Sequence, residues 1–464
     1  MPPKPQSSSF ASARLWFEQA LLPDGWARDV RIGVRDGVIV DVTTGTAKEA
    51  ADGGGGAALP GVANIHSHAF QRAMAGLTEA RGPGGNADDN FWTWRDLMYR
   101  FLDRGGPEEI EAITALAFAE MLEGGFTRVA EFHYLHNDPA GAAYGDPAEL
   151  TGRIGAAAKA TGIGLTLLPV FYAHAGFGGQ PPASGQRRFI TDLDGFADLV
   201  SRGRVLTADL GDAVVGVAPH SLRAVSPEEL AAMPDLASAG PIHIHVAEQT
   251  KEVDDCLAWS GARPVEWLLT NAPVDPRWCL IHSTHVTEAE WGEVARRGAV
   301  VGLCLVTEAN LGDGIFPAAP YSAAGGRFGI GTDSNVQIGL AEELRMLEYS
   351  QRLSLRGRAV MADASRSTGR ALFERALAGG AQASGAATGL AAGMPADIVS
   401  LDTRRIAFEG RRGDAVLDSW IFGGDRGAID SVWRRGQQVV AEGRHVARDA
   451  IKARYRRALA TVLA

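Results

Sequence analysis

The chain reads as an α/β protein: a (β/α)8 TIM-like barrel with a small β-sandwich domain built from both chain ends. Three observations predict this. From about residue 60 to 385, eight short apolar runs alternate with helix-like segments, the order expected of a closed parallel barrel. Histidines and an aspartate sit at the C-terminal ends of several of those runs, where barrel enzymes keep their chemistry. The segments before and after this stretch return to short strands and turns. The predicted division is residues 1–59 as the N-terminal part of the small β domain, 60–388 as a metal-dependent barrel, and 389–464 as the C-terminal part of the β domain plus a terminal helix.

Taken in order, Val30–Val34 and Val38–Val42 flank Arg35-Asp36-Gly37, a hairpin pattern in which Asp-Gly makes the turn. The run Gly53 to Gly56 is a connector. The eight barrel strands are expected at Val62–His68, Thr127–His133, Gly164–Phe171, Val214–Pro219, Pro241–Ala247, Trp278–Ser283, Ala299–Leu305 and Arg327–Thr332. Of the amphipathic segments between them, Pro107 to Glu123 is the clearest helix. Proline opens it, Glu108 and Glu109 fill its first turn, and Gly124-Gly125 closes it. Beyond residue 390, Pro395–Val399, Ser431–Trp433 and Gln438–Val440 read as strands able to pair with the N-terminal ones. An open doubly wound sheet shares the alternation, and the placement of the polar residues decides for the barrel.

With 464 residues, 46% of them hydrophobic, the chain is long enough for a barrel and an accessory domain. A net charge of −10 argues against nucleic acid as a partner. No run approaches the ~18 apolar residues of a membrane helix, and no basic start leads into an apolar run. Cys256, Cys279 and Cys304 are three in number and form no C-x-x-C pair, so a reducing compartment is the simplest setting. The expectation is a soluble cytoplasmic protein.

His66 and His68 are two apart on the first strand and therefore project together, as a chelating pair must. His243 and His245 share a face of the fifth strand, and Glu248 follows three residues on, where it can serve as ligand or proton shuttle. His282 ends the sixth strand and Asp333 follows the eighth. Each taken alone has a bland reading: a loop histidine, a packed core histidine, a helix cap. Four strand ends carrying such residues at once point to one metal site. Imidazole and carboxylate without thiolate suit Zn2+, and iron or manganese also accept such donors. The lysines are Lys4, Lys48, Lys159, Lys251 and Lys452, and none ends the fourth strand. A carbamylated lysine bridging two ions has no source, so one ion is expected.

The set H-x-H, H-x-x-E, His and Asp on strands one, five, six and eight resembles the amidohydrolase superfamily, and Gly393–Val399 is similar to its accessory domain. Within it, Leu59–Met74, Phe91–Arg95, Glu131–His136, Ala218–Arg223 and Thr307–Gly314 are similar to the branch that hydrolyses a formimidoyl group on glutamate. Leu305-Val306 departs from that pattern, where a proline before the threonine is expected, and His282-Ser283-Thr284-His285 varies slightly. The resemblance implies that His66, His68, His245 and Asp333 bind zinc and that Glu248, His282 and Asp333 carry the chemistry. It implies that Gln71, Arg95, Tyr134, His220 and Arg223 hold a small acidic substrate. Two arginines suit the two carboxylates of N-formimidoyl-L-glutamate. The implied reaction yields N-formyl-L-glutamate and ammonia, a step of histidine breakdown, in a homodimer. The rival readings are a deaminase of guanine, cytosine or an adenosine derivative, and a non-catalytic barrel that only binds. His133, His136, His174 and His243 carry no assigned role.

Overall fold

The structure is a computed structural model, described here for residues 13–79, 90–424 and 426–464. Residues 1–12 of the 1–59 segment, Lys4 among them, lie outside the described residues. The chain opens with β1 (Ala13–Leu22), β2 (Gly25–Arg35), β3 (Val38–Thr43) and β4 (Ala57–Pro60). Arg35 pairs with Val38 across the Asp36-Gly37 turn, and both turn residues have positive φ, 53° and 79°. That is the mirror-image turn whose twist matches antiparallel strands, and Asp-Gly is its preferred sequence.

The barrel strands are β5 (Val62–Ser67), β6 (Phe126–His133), β7 (Gly164–Phe171), β8 (Val214–Val215), β9 (Ala218–Pro219), β10 (Ile242–Val246), β11 (Trp278–His282), β12 (Val300–Leu303) and β13 (Arg327–Ile330). All eight expected runs are present, and every pairing is parallel, in the order β10-β11-β12-β13-β5-β6-β7-β8, with β9 on β7. Val217–Ile242 and Ser221–His245 bridges join the fourth strand to the fifth and close the circle. The fourth run is split in two because Val217 leaves β7 to pair with β10. The seventh strand stops at Leu303, and Leu305 already opens a helix, Leu305–Leu311. Strands β5 to β7 are buried at every position, as expected of parallel strands covered on both faces.

β14 (Ile398–Leu401), β15 (Ile429–Arg434), β16 (Gln437–Ala441) and β17 (Arg444–His445) complete a second sheet, in the order β17-β16-β15-β14-β4-β1-β2-β3. Both chain ends therefore interleave through β4. The sheet curls until Ile39 bonds Met394 and Gly393, and Phe17 meets Trp433 edge-on inside. Helix Pro107–Glu123 keeps its expected bounds, but it is not simply amphipathic: almost every residue from Ile110 to Leu122 is buried. The terminal helix Arg448–Leu463 covers its outer side, with Ala458 packed on Ala112 and Ile113.

Candidate active site

The first and last barrel strands are stitched together at their C-terminal ends. His68 N donates to Asp333 O at 2.9 Å, and Asp333 N to His66 O at 3.0 Å. Asp333 has φ +44°, so it does not cap the next helix but turns its carboxylate inward. Its Oδ1 lies 3.4 Å from His66 Nε2 and 3.2 Å from His68 Nε2, and His66 Nε2 is 3.0 Å from His245 Nε2. The donor atoms of His66, His68, His245 and Asp333 all fall within 4.8 Å of one another. His68 Nδ1 faces the Phe132 carbonyl at 3.0 Å and His245 Nδ1 the His220 carbonyl at 2.9 Å. A carbonyl only accepts, so each Nδ1 carries the hydrogen and each Nε2 presents a lone pair inward. Burial pushes His66 down to about 3, with His68 adding to the effect, and burial also lowers His68 and His245. Neutral imidazole nitrogens and one carboxylate aimed at a common point are mutually repulsive until a cation fills it. The donor set therefore fits a metal ion.

Glu248 and His282 stand beside this cluster. His282 Nε2 is 3.7 Å from Glu248 Oε1 and 3.9 Å from Asp333 Oδ2. Burial raises the Glu248 carboxyl to about 7. Burial opposes a charge on His282, but the carboxylates of Glu248, Glu308 and Asp333 outweigh it and lift the imidazole to about 10. Ala247, His282 and Ser283 all have positive φ, so the backbone at these two strand ends is held in a conformation that non-glycine residues seldom adopt.

Above the cluster lies a cavity that opens to solvent. Gln71, Arg95, Tyr134, His220 and Arg223 all line it, together with His68, His245, Glu248, His282 and Asp333, while His66 is fully buried beneath. Gln71 Nε2 donates to Tyr134 Oη at 2.8 Å. Arg95 sits 4.6 Å over the Trp92 ring, and Arg223 sits 5.7 Å from the same ring. The Nε of each arginine is buried without a partner, so both guanidiniums keep a donor for an anion. Arg223 Nη2 is 3.9 Å from Glu252 Oε2.

His243 points into the barrel as its spacing requires, but toward the floor, where Nε2 donates to the Ala383 carbonyl at 2.8 Å. His133 and His136 are buried away from the cavity, and His174 pairs with Glu229 at 3.0 Å. Four contributors went unread in the sequence. Trp92 and Glu308 stand inside the quoted motifs, Tyr172 lines the cavity, and Glu252 accepts from Ala247 N and Glu248 N at 3.1 and 3.2 Å. Glu252 and Glu308 each had a local signal, a carboxylate in the first turn of a helix.

The chain belongs to the amidohydrolase family, whose model matches residues 57–439. A second model, for the N-terminal domain of formimidoylglutamate deiminase HutF, matches residues 15–56. The formimidoylglutamate deiminase of Pseudomonas aeruginosa is 52% identical over 93% of this chain and 95% of its own. The 8-oxoguanine deaminase of the same organism is 29% identical over 88% and 87%. Among solved structures, an amidohydrolase from Brucella melitensis superposes with a TM-score of 0.93, at 52% identity, over 97% of this chain and 100% of its own. A zinc-bound adenosine deaminase from Xanthomonas campestris, 23% identical, shares the fold with a TM-score of 0.81 over 98% and 99%.

Proposed function

We propose that this protein hydrolyses N-formimidoyl-L-glutamate to N-formyl-L-glutamate and ammonia, with one Zn2+ held by His66, His68, His245 and Asp333. The observation that carries the substrate is the pair of guanidiniums, Arg95 and Arg223, facing one cavity above the four-ligand cluster. A dicarboxylate offers each of them an anion. The 52% identity to a formimidoylglutamate deiminase across nearly both chains supports the same choice. Three imidazoles and a carboxylate suit zinc, and iron or manganese would satisfy the same donors.

When bound, such an ion supplies Lewis acidity and brings the pKa of water into the neutral range. The residues supply position and protons. Arg95 and Arg223 anchor the carboxylates, while Gln71, Tyr134 and His220 orient the rest of the molecule. Water adds its oxygen to the formimidoyl carbon, and both of its hydrogens end on the departing nitrogen. Asp333 takes up the first proton, with the charged imidazole of His282 close by. Glu248, with its carboxyl near 7, delivers protons to nitrogen, the C–N bond breaks and ammonia leaves. The setting this reading implies is the cytoplasm and histidine breakdown, in keeping with three buried free cysteines. Among the described residues no helix is long and apolar enough to cross a membrane.

The test is ammonia release by the zinc-loaded protein with N-formimidoyl-L-glutamate, beside guanine, cytosine and adenosine. Release from the first alone is expected. Release only from a base would overturn the substrate and the roles given to both arginines.

A further inference from the structure

We propose that Glu308 is a positioning residue for His282, holding the imidazole so that Nε2 faces the reacting atoms. The inference rests on the reading of His282 as a proton-handling group. Glu308 lies in the helix Leu305–Leu311 that follows β12, 26 residues from His282 in sequence, and is 2% exposed. Its Oε1 stands 3.2 Å from His282 Nδ1 and accepts from Cys304 N at 2.9 Å. An ionised carboxylate only accepts, so Nδ1 is the donor. The opposite ring nitrogen is then the one directed at Glu248 and Asp333, at 3.7 and 3.9 Å.

Two further facts separate this from packing. Glu308 Oε2 is buried with no hydrogen-bond partner. Burying that oxygen unpaired is unfavourable, a cost that a side chain serving only to cap Cys304 N has no need to carry. The helix also ends at Gly312, and Asp313 N donates to the Glu308 carbonyl at 2.9 Å. That closure brings the Asp313 carboxyl into a group with Glu248 and His282 whose polar atoms lie within 4.8 Å of one another. One short segment therefore places a carboxyl group on the Nδ1 side of His282 and a second in the group that His282 forms with Glu248.

The test compares Glu308→Gln with Glu308→Asp. Glutamine keeps the reach and the accepting oxygen but loses the charge; aspartate keeps the charge but draws back by a methylene. Positioning predicts that Glu308→Gln holds kcat within about fivefold. Glu308→Asp should lose on the order of 10²-fold in kcat, with KM and metal content unchanged. The reverse ranking, or losses in both variants that follow melting temperature, would overturn the proposal. A second measurement needs no substrate: the ring 15N signals of His282 in histidine-labelled, zinc-loaded protein, assigned by their loss in His282→Asn. A protonated Nδ1 is expected in the wild type and Glu308→Gln, with a shifted signal in Glu308→Asp. A hydrogen-free Nδ1 in the wild type would sink the assignment. If the wild type releases no ammonia from N-formimidoyl-L-glutamate, the substrate reading fails while the nitrogen signals still decide this one.

Discussion

Glu248 is useful because it is buried next to a cation it does not fully neutralise. Desolvation alone would keep it protonated, and His282 and Arg223 pull it back toward about 7, where it gains and loses a proton readily. Glu248→Gln keeps the volume and all four metal donors but removes that exchange. It should retain its metal ion and lose on the order of 10² or more in kcat, read by ammonia release alongside metal analysis. The two arginines should differ when removed. Arg95 rests on Trp92 and Tyr99, so Arg95→Ala should cost about 10- to 100-fold in kcat/KM, mostly through KM, with little change in melting temperature. Arg223 also faces Glu252, a carboxylate with no exposure, so Arg223→Ala should lose stability as well as affinity.

Elements hold these side chains by close backbone approach. The helix Thr368–Ser384 crosses the barrel floor, and a Cβ on Gly379 would stand 1.8 Å from the Phe328 carbonyl oxygen of β13. Backbone cannot step aside as a flexible side chain can. Gly379→Ala should therefore cost about 3 kcal/mol, seen as a lower thermal-inactivation temperature, while the affinity for zinc in the surviving folded fraction stays unchanged. The turn after β10 is secured differently. The first turn of helix Thr250–Ser260 supplies Glu252, whose carboxylate holds both backbone N–H groups that lead into Glu248.

At the scale of the whole molecule, the curled sheet is joined to the barrel by a chain of buried charges. Arg434 of β15 pairs with Asp397 and, at 2.7 Å, with Asp212, which also holds Arg128 of β6 at 2.7 Å. Burial opposes the charge on Asp212, but Arg434 and Arg128 outweigh it and hold its carboxyl below the usual range. A depressed pKa means that this stabilisation is present above the unfolded value of ~3.9 and is lost as pH falls through the folded one. Asp212→Asn should cost about 2–3 kcal/mol near pH 7, reduced from the fully buried case because Asp212 keeps some exposure. The melting curves of mutant and wild type should converge below about pH 4; a constant gap down to pH 3 would refute the linkage.

What lay along the chain was decided by the chain. The apolar runs, the two-residue spacing of His66 and His68, the Asp36-Gly37 turn and the caps of helix 107–123 are local, because side-chain direction repeats every two residues in a strand and capping acts within one turn. The four metal-ligand candidates could be grouped in advance for the same reason: each ends a barrel strand, and strand ends converge. The partners across the fold were not legible. Glu308 meets His282 from 26 residues away, and Arg434 meets Asp212 from 222. The buried outer face of helix 107–123 was equally hidden, because the helix that covers it begins at Arg448. Proximity between distant residues is set by closure of the barrel and packing of its helices, and no spacing within the chain encodes which carboxylate will arrive beside which ring.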